Sequence, residues 1–212
     1  MLNTLQELID KVESVETIDP EERFTSDGVD WQDYKGLLTK LENNSHYRIS
    51  YLDGVLEILS PSSRHEKYKT RFSSLIEFYL FQKRITHTPT GSTTLRKRFK
   101  QAGAEPDESY SIGTEKAIPD LAIEVVVTSG SINKLEVYRR LGVVEVWFWK
   151  NNRLELYHLR EDTPGEFKET CGYEQITVSE LLPELNISLL EECVLIPDQI
   201  KALDTFEKGI WL

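Results

Sequence analysis

Leu2, Leu5, Leu8, Ile9 and Val12 recur at helical spacing, which predicts a first amphipathic helix. A polar stretch, TIDPEERFTSDG, separates it from VDWQDYKGLLTKLE, where Asp30 is placed to cap a helix burying Trp31, Tyr34, Leu38 and Leu41. YRISYLDGVLEILSP holds two short alternating segments around Asp53-Gly54, a turn pair that predicts a tight β-hairpin. Ser62 and Ser63 then offer an N-cap for a long helix over about 64–83. Its stripe of Tyr68, Phe72, Leu75, Ile76 and Tyr79 faces the core. The same phase turns His65 inward and sends Glu66 outward with Lys69, Ser73 and Glu77.

From Ile85 to Ile112 the pattern is of strands, ITHTPTGSTTLRKRF and then EPDESYSIG, with Gly103 read as the break between them. PDLAIEVVVT predicts a strand of about eight residues, within the ordinary range. SGSINKLEVYRRLG predicts a helix capped by a serine and closed by Gly142. VVEVWFWK is the next strand, which Asn151-Asn152 turns into RLELYHLR. Strand, helix and strand over 119–150 require a parallel, right-handed crossover. The expected fold class is therefore α/β, a mixed central sheet flanked by helices. From Thr163 onward the chain reads as loops and short helices, with a strand at FKET. The expected organisation is a helical extension over 1–28, one domain over 29–192, and a tail over 193–212 packing on the domain or on a partner.

Composition supports that organisation. With 212 residues, 39% hydrophobic and 29% charged, the chain suits one globular domain with a core of its own. The first residues lack the basic start and apolar run of a signal peptide, and no run reaches the length that spans a bilayer, so a cytoplasmic address without membrane contact is expected. Cys171 and Cys193 are too few for a disulfide framework and too far apart for a metal knuckle. A net charge of −11 argues against coating nucleic acid by electrostatics alone. Yet KYKTR, KR and LRKRFK, at 67–71, 83–84 and 95–100, gather positive charge in the first half of the chain, which is either a local basic face for nucleic acid or an ordinary solvated face.

The polar residue that fits its setting least is Glu124. Alternation puts Leu121, Ile123, Val125 and Val127 on one face of its strand and Ala122, Glu124, Val126 and Thr128 on the other, so it is flanked by apolar positions. An ionised carboxylate there is costly unless a cation, donors or water meet it. A structural salt bridge satisfies that demand; so does a metal site with a second acid. Asp120 cannot be that acid, because four residues of strand separate it from Glu124 by about 13 Å, whereas ligands hold a hard cation at about 2.0–2.5 Å. Asp107 can, since neighbouring strands run about 4.8 Å apart, if its segment pairs with the Glu124 strand in suitable register.

The ordered set of "YLDGVLEILSPSSRHEKY", Asp107 in "EPD", Glu124 in "PDLAIEV" and "KLEVYRRLGVVEVWFW" resembles the Uma-type restriction endonuclease family, a large bacterial family abundant in cyanobacteria. That family belongs to the PD-(D/E)XK nuclease superfamily, and the similarity runs from about Val29 to Glu192. The resemblance implies a restriction-endonuclease-like core that hydrolyses DNA phosphodiester bonds, with Asp107 and Glu124 binding Mg²⁺ (or Mn²⁺). The superfamily's lysine two residues after the glutamate is replaced here by Val126; the resemblance assigns the basic role to Lys134 of the following helix instead.

Two residues are further candidates on their own pattern. Glu57 interrupts VLEIL as Glu124 interrupts its strand, and is a candidate third acid. His65 is placed either to position a water or phosphate or to sit satisfied in the core. The expected partners are DNA and a second copy of the chain, joined through the apolar WFW strand and the Ile210-Trp211-Leu212 tail. The alternative is a catalytically weak or inactive nuclease fold serving binding or assembly, which the acidic charge and the missing lysine favour. No glycine-rich phosphate loop or nucleophile elbow supports a small-molecule hydrolase.

Overall fold

A computed structural model of the chain describes residues 21–42, 44 and 46–211. The helix expected over the first residues lies outside them. Eleven strands and five α-helices are described: β1 (Glu22–Ser26), α1 (Trp31–Lys40), β2 (Arg48–Leu52), β3 (Val55–Ser60), α2 (Ser63–Gln82), β4 (His87–Pro89), β5 (Leu95–Lys97), β6 (Ala102–Ala104), β7 (Glu108–Ile112), β8 (Leu121–Val126), α3 (Lys134–Leu141), β9 (Glu145–Lys150), β10 (Arg153–Leu159), β11 (Tyr173–Ile176), α4 (Ile187–Val194) and α5 (Gln199–Gly209). A single 3₁₀ turn, Arg98–Lys100, joins β5 to β6.

The α/β class holds, and the strands divide into two sheets. The expected mixed sheet has the order β11-β10-β9-β8-β7-β4. Within it β8 and β9 are parallel, joined by α3 as the strand-helix-strand pattern requires. The second sheet, β1-β3-β2-β6-β5, is antiparallel throughout. Glu105-Pro106-Asp107 is where the chain leaves the second sheet, after β6, and enters the first, at β7.

Local chemistry explains most element ends. Asp30 caps α1 by accepting from the Gln32 and Asp33 amides, and Ser62 caps α2 by accepting from the His65 amide. Asp53 and Gly54 both take positive φ, as do Asn151 and Asn152, so both hairpins close on the turn geometry that matches strand twist. The cap of α3 is Asn133, whose side chain accepts from the Glu136 amide, rather than the expected serine; Gly142 closes the helix with φ +85°.

Four further expectations are corrected. Residues 22–26, inside the segment assigned to a helical extension, form a strand paired with β3. Gly103 is no break: it lies within β6, where any Cβ would collide with the Tyr34 hydroxyl, so the missing side chain makes room for α1. FKET is a turn, and the strand follows it at Tyr173–Ile176. Trp147, Phe148 and Trp149 offer no surface to a partner, because β9 is a central strand covered on both faces and all three are buried.

The core follows the alternation of β8. Leu121, Ile123 and Val125 pack with Phe72, Leu75 and Ile76 of α2, while Ala122 packs with Val137, Tyr138 and Leu141 of α3. Phe206 and Ile210 join the α2 side, so the C-terminal helix completes this core. Among the described residues no helix is long and apolar enough to cross a membrane.

Candidate active site

Strand β7 pairs antiparallel with β8, Glu108 opposite Ile123. One step further along that register, Asp107 stands opposite Glu124. Instead of continuing the backbone ladder there, Asp107 turns its side chain into the strand, and its Oδ2 accepts the Val125 amide at 2.8 Å. Both acids are buried, 1% and 6% exposed.

Each carboxylate has a cation, supplied by a different helix. Lys134, the first residue of α3, donates to Glu124 Oε1 at 2.8 Å. Tyr138, one helical turn later on the same face, donates to the same oxygen. Lys134 is thus not a solvated surface lysine. On the Asp107 side, His65 Nε2 lies 2.9 Å from Oδ1. The approach is off the line of a good hydrogen bond, so the pair is chiefly an ionic contact. Arg48 of β2 lies 3.8 Å from the same oxygen.

His65 is fully buried and bridges two acids, because its Nδ1 lies 2.8 Å from Glu21 Oε2. Burial works against its charge, but the close contact with Asp107, the hydrogen bond to Glu21 and the negative charges of both prevail and raise the imidazole to about 9. His65 is therefore an imidazolium at neutral pH, a core histidine hydrogen-bonded to Glu21 and in ionic contact with Asp107. Burial works to raise Asp107 as well, yet the contact with His65 and the Val125 amide hold it below the ordinary range. Glu124 moves the other way: burial raises it, Lys134 opposes, and the nearby charge of Asp107 adds to the rise.

Glu57 does not join this pair. It accepts from Arg23 at 2.9 Å and from the Ser131 amide at 2.7 Å, tying β1 and β3 to the loop between β8 and α3. Asp120, set aside on distance, is held by the Ile112 amide and by Lys116. Sequence reasoning missed Glu21, Arg48 and Tyr138. Tyr138 had a readable signal, its four-residue spacing from Lys134 on one helix face. Arg48 had one too, as a cation in a strand whose neighbours are buried. Glu21 had none, since its partner comes from far along the chain.

A cleft of about 430 Å³ adjoins the cluster and shares Arg48 with it; Thr93, Thr94, Arg96 and Glu105 also line it. Among the described residues, no group of three or more His, Cys, Asp or Glu side chains is arranged to hold a metal ion. The two acids nevertheless fit one. They supply hard oxygen donors, and their crowding, felt in the raised Glu124 carboxyl, is what a dication relieves. Mg²⁺ in particular is commonly held by one or two carboxylates together with water and substrate phosphate.

An α/β fold with two buried carboxylates side by side, one on β8 and one at the entry to β7, and a lysine on the first of them, has the make-up of a restriction-endonuclease-like core. The model of the family Uma2, described as "Putative restriction endonuclease", matches residues 31–190. The chain belongs to that family. No curated protein matches it.

Proposed function

We propose that this protein is a metal-dependent endonuclease that hydrolyses phosphodiester bonds in DNA, and that Asp107, Glu124 and Lys134 form its catalytic centre. The observation that carries this reading is the close approach of two buried acids, Asp107 bonded to the β8 amide of Val125 beside Glu124, with the Lys134 ammonium on Glu124 Oε1. Asp107 and Glu124 would hold Mg²⁺ or Mn²⁺, which when bound supplies a polarised phosphoryl oxygen and a water of lowered pKa.

The chain's own groups do the rest. Lys134 brings a fixed positive charge to where negative charge develops on the phosphate, and takes the role of the lysine that Val126 replaces. Tyr138 donates to the same Glu124 oxygen as Lys134, fixing the carboxylate against α3. His65, itself held by Glu21, keeps Asp107 ionised and aimed at β8. His65 and Glu21 are positioning residues, and Glu57 braces the loop that leads into α3. The reading extends to a cytoplasmic protein that pairs with a second copy to cut both strands.

Incubation of supercoiled DNA with Mg²⁺ or Mn²⁺ tests it. The wild type is expected to cut, and Asp107→Ala and Glu124→Ala to cut at least about 100-fold more slowly, the scale of losing a principal electrostatic group. Undiminished cutting by both variants removes the site assignment. A wild type that cuts nothing favours the binding or assembly module.

A further inference from the structure

The run LRKRFK is not used by the site just described, yet it is the most unusual surface on the molecule. Phe99, in the 3₁₀ turn between β5 and β6, is fully exposed, touching none of the three hydrophobic clusters. Residues 96–100 are all exposed. Arg96, Arg98 and Lys100 form no ion pair among the described residues, although the whole chain carries a net charge of −11 and its acids could have neutralised them. The backbone under this tip is nevertheless anchored. Lys97 donates to the Leu141 carbonyl and Arg140 to the Lys100 carbonyl, so α3 holds the turn while Phe99 points into solvent. The surface is also continuous with the catalytic centre: Arg48, close to Asp107, and Arg96 line the same cleft. From Arg96 to Phe99 is three residues, at most about 10 Å of chain.

An exposed aromatic ring among unpaired cations complements one class of ligand, an anionic strand whose bases present open π faces. In a closed duplex those faces are stacked on one another; in a single strand they are free. We infer that Phe99, with Arg96, Arg98 and Lys100, is a docking platform for single-stranded DNA, on which a base stacks on Phe99 while the cations follow the phosphates leading from the cleft. The inference rests on the nuclease reading for its choice of DNA, but its test reads binding rather than cutting.

The experiment is fluorescence anisotropy of the full chain with labelled single-stranded and blunt duplex oligonucleotides, in EDTA to withhold divalent ions and at several salt concentrations. Phe99→Ala is expected to weaken single-strand binding roughly 5- to 150-fold, the span of aromatic stacking on one base, with the salt slope unchanged. Arg98→Ala with Lys100→Ala is expected to lower the slope of log affinity against log salt by about 1.4, two phosphates' worth for single strands. Both variants lie at an exposed turn and leave the core intact. Single-strand affinity untouched by Phe99→Ala, or a wild type that does not bind single strands, overturns the inference. So does an equal loss on the blunt duplex, or a Phe99→Ala protein that loses only self-association in sedimentation. If cutting persists while Phe99 proves irrelevant, the nuclease reading survives alone. If Phe99 governs binding in a protein that cuts nothing, the platform stands and the nuclease reading falls.

Discussion

Glu57 and Glu124 interrupt apolar strands in the same way, VLEIL and AIEVV, and both are almost wholly buried. Their neighbours separate them. Glu57 meets the Arg23 guanidinium, which it shares with Glu21, and the amide and hydroxyl of Ser131, so its oxygens are taken up in tying β1 and β3 to the loop after β8. Glu124 shares its surroundings with Asp107, and burial together with that second charge pushes its carboxyl up even against Lys134. Glu145, fully buried on β9, resembles Glu57: it accepts from Trp147, Ser179 and the amides of Glu180 and Leu181, and so pins the turn before α4. A buried strand carboxylate is a brace where donors match its charge. It becomes a candidate site where a second buried acid stands close enough for its charge to be felt.

That contrast is open to mutation. Beyond the two acids themselves, the largest effect falls on Lys134: Lys134→Ala lowers the rate of DNA cleavage about 100-fold with near-UV circular dichroism unchanged, and Lys134→Arg recovers part of it. Glu57→Ala shows the reverse pattern. Arg23 keeps Glu21 and Thr128 as partners, so the loss is that of its bond to Glu57 and of the acceptor for the buried Ser131 amide, about 2 kcal/mol of stability, read as a lower urea midpoint, while the folded protein cuts at the wild-type rate.

A pH effect comes next. The folded-state pKa of His65, about 9, lies above its ordinary 6.5. Its stabilising contribution is therefore complete below pH 6.5 and is lost as pH rises through about 9. Urea midpoints without added metal should fall over that window in the wild type and stay flatter in His65→Asn. Smallest is Asp120→Ala, which loses about 1 kcal/mol from a hydrogen bond and ion pair at a strand end and leaves cleavage alone.

The acid pair is legible in the sequence because strand alternation fixes a face and antiparallel pairing fixes a neighbour. Helical phase likewise placed His65 and the stripe of α2. What alternation does not carry is the identity of a partner from another element. Glu57 resembles a third acid in sequence because Arg23 lies in a stretch too polar and too short to announce a strand. Glu21 reaches His65 from 44 positions away. The division into two sheets was equally hidden, since Glu105-Pro106-Asp107 reads as one irregular step whether the chain stays in a sheet or changes sheets. The WFW strand looked like a surface for a partner because an apolar run reports burial without naming what buries it; here both faces are covered from within the chain.

Asp107 and Glu124 are proposed to form one metal-holding pair from which Glu57 stands apart. Titration with Mn²⁺, followed by electron paramagnetic resonance in the presence of a non-cleavable phosphorothioate duplex, measures this directly. Binding is predicted in the wild type and in Glu57→Gln, and loss of binding in Asp107→Asn and in Glu124→Gln. Retention of the ion by both of those variants, or its loss in Glu57→Gln alone, would contradict the account.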